Sequence, residues 1–134
     1  MKTLDEYPAI AFLEGTGIPT LSSLLVENYD EAQYAAEKIG FPLVLKISAD
    51  GLAHKTEIGG VITDIGDNAD LEASWKMLEQ IVELQGEAIP GFRGILMQPM
   101  IGKASEFIIG GIRDVSFGPV VLFGMGGVLT ELLD

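Results

Sequence analysis

The chain has no cysteine, one histidine and one tryptophan. Without cysteine there are no disulfides and no thiolate metal sites, and a single histidine does not build a zinc site alone. Basic residues are scarce: 8 Lys and Arg stand against 20 Asp and Glu, a formal net charge of −12. Such a balance repels phosphate polymers and argues against non-specific binding to nucleic acid or to an anionic membrane, while a small polyanion could still bind through local positive groups and backbone N–H donors. No apolar run approaches the roughly 20 residues that span a bilayer. The opening MKTLDEYPAIAF is acidic and lacks a basic stretch before an apolar core, so it is not a secretory signal. The cytoplasm is the default location.

What remains is enough to fold. The chain has 134 residues and is 48% apolar, which allows one domain with a real core. The acid is unevenly spread. Only Glu106, Asp114, Glu131 and Asp134 follow Glu87, and the last third is rich in glycine and aliphatics up to GGVLTELLD. That composition predicts an element cut short, or one that packs on something else, with the aliphatic surface of Pro119–Leu133 partly exposed and a tendency to self-associate.

Periodicity and punctuation predict the elements. A helix over Leu4–Glu14 is closed by GTGIP, and a strand follows over Thr20–Asn28. Asp30 reads as an N-cap, Ala32, Ala35, Ala36 and Ile39 as one helical face, and Gly40 as the residue after its end. FPLVLKIS (Phe41–Ser48) is a nearly continuous apolar strand, followed by a loop and a strand over Gly60–Ile65. A second amphipathic helix runs from Asp70 to Leu84 with Leu71, Trp75, Leu78 and Val82 on one face. RGILMQPM (Arg93–Met100) and SEFIIGGIRD (Ser105–Asp114) read as strands joined as a hairpin through IGKA, and Gly118–Gly124 as a last strand. This order predicts an α/β or α+β sandwich.

Three places carry chemistry. Lys46 interrupts an apolar strand, where an unpaired ammonium is costly; it must reach water, pair with a carboxylate or serve an anionic ligand. The loop ISADGLAHKTEIGGV holds His54 and Lys55 among Gly51, Gly59 and Gly60. Its glycines allow a backbone that turns N–H groups toward phosphate oxygens, and Lys55 adds a point charge. The spacing is not that of a Walker A loop. His54 read alone is a surface loop residue. Gln98, Pro99 and Met100 at a strand end, with Glu106 opening the next strand, are compatible with simple hairpin chemistry.

Together, GFPLVLKIS, LAHKTEIGGV, GILMQPMI, EFIIGGIRD and FGPVVLFGMGGVLTELLD resemble the ATP-grasp region of the ADP-forming (NDP-forming) acyl-CoA synthetases, relatives of the succinyl-CoA synthetase beta subunit. The resemblance starts at LEGTGIPT and covers nearly the whole chain. It implies an ATP-grasp fold, the first subdomain plus part of the second, with a mixed or antiparallel sheet flanked by helices. It implies that Lys46 contacts nucleotide phosphates and that the Ser48–Gly60 loop, with Lys55, Gly59 and Gly60, lies over them. By the same resemblance His54 relays phosphate as phosphohistidine, Gln98, Pro99 and Met100 form the hinge that holds the adenine edge, and Glu106 binds the ribose hydroxyls. A neutral imidazole nitrogen can attack phosphorus and pass the group on, and phosphoryl transfer is mostly positioning and charge stabilisation.

The family's Mg²⁺ ligands, an Asn and an Asp in an NP motif, have no counterpart here, since no Asn follows Asn68. No metal ligand is therefore expected within 1–134, and the chain reads as a partial ATP-grasp domain that stops before the Mg²⁺ region. The implied function is the ATP/ADP-binding part of an acid–CoA ligase: acyl-CoA + ADP + phosphate ⇌ acid + ATP + CoA. Its implied partner is a CoA-binding domain or subunit, in an oligomer. The isolated piece is expected to be inactive. Two alternatives stand beside it, an ATP-grasp-like regulatory region of a protein acetyltransferase and a non-catalytic interaction domain.

Overall fold

The computed structural model describes residues 4–50, 55–85, 89 and 91–126. In chain order these form α1 (Glu6–Gly15), β1 (Leu24–Val26), α2 (Tyr29–Ile39), β2 (Leu43–Ala49), β3 (Val61–Ile65), α3 (Asn68–Gln85), β4 (Phe92–Pro99), β5 (Phe107–Asp114) and β6 (Gly118–Met125). The chain divides into two units, Met1–Met100 and Ile101–Asp134.

The first unit is built on a four-stranded sheet in the order β1-β4-β2-β3, with every pairing antiparallel. Side chains alternate across a strand, so β2 has two destinations for its residues. Leu43, Leu45, Ile47 and Ala49 enter the core beneath α2 and α3, together with Ala32, Ala35, Ala36, Leu71, Trp75 and Leu78. Val44, Lys46 and Ser48 take the other face. Both faces are covered enough that β2 reads as nearly continuous apolar sequence, and Lys46 is its one half-buried position.

The helices begin where capping side chains allow. Asn28, not Asp30, caps α2: its Oδ1 accepts from the Glu31 N–H at 3.0 Å, while Glu31 Oε2 accepts from the Glu27 N–H at 2.9 Å. Asp30 instead falls in the first turn, where a negative charge suits the helix dipole. Asp67 Oδ1 accepts from the N–H groups of Ala69 and Asp70, so α3 starts two residues before the expected Asp70. β1 is only three residues long, shorter than expected from Thr20–Asn28. Its close approach to β4 requires glycine at Gly94, where φ is 140° and a Cβ would lie 2.6 Å from the Val26 carbonyl oxygen.

The hairpin expected between Arg93–Met100 and Ser105–Asp114 is not formed. β4 pairs with β1 and β2, and β5 pairs with β6. The tight turn lies at Asp114–Gly118: Asp114 Oδ1 accepts from the N–H groups of Ser116 and Phe117, and Gly118 takes φ 74°. These two hydrogen bonds also hold the Asp114 carboxyl below its usual range. Among the described residues the second unit's strands are β5 and β6, paired as a hairpin. Phe107 and Phe123 stack across it at 5.3 Å, while Ile109, Val121 and Leu122 are exposed. The exposed aliphatic surface expected of Pro119–Leu133 is thus present over its described part; residues 127–133 lie outside it.

Candidate functional site

The face of the first unit's sheet that turns away from α2 and α3 carries the polar groups. Antiparallel pairing puts Lys46 beside Leu96, Ser48 beside Gly94 and Val44 beside Gln98. Lys46 is therefore two residues, about 7 Å, from the level of Gln98 along the sheet. The face is a short strip with cationic chemistry at one end and the end of β4 at the other.

Lys46 resolves its burial by pairing. Its Nζ donates to Glu6 Oε1 at 2.6 Å, with both side chains still partly exposed. Lys55 does the same one residue along: its Nζ donates to Asp5 Oδ1 at 2.6 Å. Here the Lys55 side chain is 12% exposed and that of Asp5 only 2%. Ser48 Oγ donates to the other Asp5 oxygen, Oδ2. Burial pushes the Asp5 carboxyl up. The hydrogen bonds from Lys55, Ser48 and the Glu6 N–H, with the Lys55 charge, outweigh that and hold it below its ordinary value. Thus adjacent acids at the start of α1 gather two lysines that are nine residues apart in sequence.

Gly59 and Gly60 close the turn behind Lys55. The Gly60 N–H donates to the Lys55 carbonyl at 2.7 Å and the Gly59 N–H to Thr56 at 3.1 Å, while the Gly60 carbonyl accepts from the Ile47 N–H. The expectation that these two N–H groups point at phosphate is not met in this conformation: both are spent within the turn. A Cβ on Gly60 would stand 3.0 Å from the Lys55 oxygen, so glycine is needed here for close packing. His54 lies outside the described residues. The chain on either side of 51–54 is anchored, on one side by Lys55 and on the other by Asp50, whose Oδ1 accepts from Arg93 Nη2 at 2.7 Å.

At the other end of the strip, Gln98 is buried and its Nε2 donates to Ser23 Oγ at 2.8 Å. Pro99 lies opposite Leu43, and the Met100 N–H donates to the Pro42 carbonyl at 2.8 Å. In the second unit, Glu106 precedes β5, its side chain is exposed, and its carbonyl accepts from the Gly126 N–H at 2.8 Å. The structure brings together Lys46, Lys55, Gly59 and Gly60, and places Gln98, Pro99 and Met100 farther along the same sheet. Sequence reasoning missed Asp5 and Glu6, and Ser48, expected to open the loop, lies instead within β2. The usable signal was Lys46 itself, which demanded an anionic partner.

Residues 1–134 match the ATP-grasp domain family throughout. The chain belongs to that family, and the helices and antiparallel sheets described above are those expected of it. It is 41% identical over 123 residues to an ADP-forming acetate–CoA ligase I of Archaeoglobus fulgidus, covering 90% of this chain and 17% of that protein. It is 31% identical over 128 residues to the ADP-forming acetate–CoA ligase II subunit beta of Pyrococcus furiosus, covering 96% of this chain and 54% of that one. Among solved structures, the acetyl-coenzyme A synthetase 1 of Candidatus Korarchaeum cryptofilum, in complex with coenzyme A, Ca-AMPCP and HgCl⁺, superposes with a TM-score of 0.88 at 35% identity, over 98% of this chain and 57% of that one. The resemblance read from the motifs is therefore borne out. The chain spans about half the length of the Pyrococcus subunit and much less of the Archaeoglobus protein. Among the described residues, no helix is long and apolar enough to cross a membrane.

Proposed function

We propose that this chain is the nucleotide-binding part of an ADP-forming acyl-CoA synthetase, converting acyl-CoA, ADP and phosphate to acid, ATP and CoA. The observation that carries this reading is the convergence of Lys46 and Lys55 on one end of a sheet face, in a protein whose net charge is −12. Two ammonium groups gathered on the adjacent acids Glu6 and Asp5, in so acidic a chain, suit an anion with adjacent charges, such as a nucleotide diphosphate. We assign the adenine edge to the end of β4 at Gln98–Met100, which belongs to the same sheet as Lys46. We assign His54, between the two anchored flanks at Asp50 and Lys55, the role of accepting and passing on the phosphoryl group. Glu106 is assigned to the ribose hydroxyls on the resemblance alone.

Among the described residues, no group of three His, Cys, Asp or Glu is placed to hold a metal ion. We assign the Mg²⁺ ligands to residues outside this chain. When bound, Mg²⁺ would neutralise developing charge on the phosphates. The CoA-binding partner, whether fused or separate, and assembly into an oligomer belong to the same proposal. The names of relatives described as ligases and as a ligase subunit support it.

Lys46→Ala tests the phosphate assignment. A charge-assisted contact to phosphate contributes roughly 1.5–3 kcal/mol, so ADP affinity of the full-length protein should fall about ten- to a hundredfold. Calorimetric titration measures it. Unchanged affinity would make Lys46 merely the partner of Glu6.

A further inference from the structure

We infer that Asp5 and Glu6 are resident carboxylates which a nucleotide's phosphates must displace from Lys55 and Lys46. This rests on the phosphate assignment above and adds a built-in competitor to it. Three observations converge. Each lysine is already paired with a carboxylate at 2.6 Å, so neither ammonium offers a phosphate an uncompensated charge. Asp5 is the N-cap residue of α1, yet its side chain makes no capping hydrogen bond; it is turned instead to Lys55 and Ser48. Asp at this position ordinarily stabilises its own helix by capping, so the carboxylate is committed to the lysine side. Finally, no residue of α1 is buried, and Phe12 and Leu13 remain exposed. α1 gives no residue to the apolar core, so releasing Glu6 leaves that core closed, while releasing Asp5 uncovers only its polar partners Lys55 and Ser48.

A carboxylate and a phosphate oxygen accept the same hydrogen bonds from an ammonium, so the two anions exclude each other at one Nζ. Nucleotide binding then includes the release of the first residues of α1. The apparent affinity is reduced by the fraction of molecules in which the carboxylates are seated. The alternative is that Asp5 and Glu6 pre-organise the lysines for the ligand. It predicts the opposite sign.

The test uses the full-length protein, titrated with inorganic triphosphate and with ADP and followed by calorimetry. Glu6→Gln keeps the side chain's shape and removes its charge, and should tighten both ligands about three- to tenfold. Glu37→Gln on α2 makes the same change of net charge away from the lysines and should leave affinity unchanged. Asp5→Asn should act like Glu6→Gln; should that buried position fail to fold, Glu6→Gln decides alone. Equal or weaker binding by Glu6→Gln, or equal tightening by Glu37→Gln, overturns the inference. Lys46→Ala separates the two levels. Weaker binding by Lys46→Ala with no gain from Glu6→Gln leaves the phosphate assignment standing and removes the competitor. Affinity indifferent to Lys46 removes both.

Discussion

In the full-length protein, His54→Ala is expected to cut ATP formation from acyl-CoA, ADP and phosphate by roughly 10³-fold or more, because a step that needs a nucleophile has no substitute when that group is gone. His54 is the only histidine between residues 1 and 134, so no neighbouring imidazole in this chain can take its place. The proposed role sets further conditions. ADP affinity should change little, since binding is assigned to Lys46 and Lys55, and the loss should appear in kcat. His54→Asn should not restore turnover, because an amide nitrogen does not attack phosphorus. Steady-state assays with a circular dichroism control for folding measure both quantities. Turnover near that of the unaltered protein would remove His54 from the phosphoryl path.

The second large effect is on stability. Leu45→Ala is expected to destabilise the first unit by about 2–5 kcal/mol, because Leu45 is fully buried and truncation leaves a cavity that the sheet cannot collapse to fill. It lies opposite Met97 on one side and Ile62 on the other, within the cluster beneath α2 and α3. The next residue gives the internal comparison. Lys46 points to the other face and loses only a partly exposed ion pair when truncated, so Lys46→Ala should cost about 1 kcal/mol or less. Urea unfolding of the two variants reads the alternation directly. Similar losses at 45 and 46 would mean that β2 does not present its faces as described.

Much of the fold was legible because its periodicities are strong. The alanine face of α2 and the Leu71, Trp75, Leu78 face of α3 are buried as the spacing predicts. The cap of α2 was less so, for a definable reason: Asn28 precedes Glu31 by three residues and Asp30 precedes Gln33 by three, so both offer the capping-box spacing. The hairpin was misplaced because IGKA and VSFG both separate apolar runs. What decides is the Asp114 carboxylate, with two backbone N–H groups to hold and Gly118 to turn the chain. The site divides the same way. Lys46 announced itself as a charge inside an apolar strand. Its partner did not, since Glu6 is 40 residues away and Asp5 is 50 from Lys55, and nothing in local sequence encodes such a pairing. The loop's glycines offer conformational freedom, which Gly59 does use at φ 73°, but the N–H groups of Gly59 and Gly60 are occupied inside the turn.

The reaction itself is the most direct test. Purified full-length protein, given Mg²⁺, ADP and radiolabelled phosphate, should form labelled ATP with at least one member of an acyl-CoA panel that begins with acetyl-CoA. Formation should stop when acyl-CoA, ADP or phosphate is left out. A folded protein that forms no labelled ATP with any acyl-CoA, and that does not bind ADP, would contradict the assignment of residues 1–134 to nucleotide binding in an acyl-CoA synthetase.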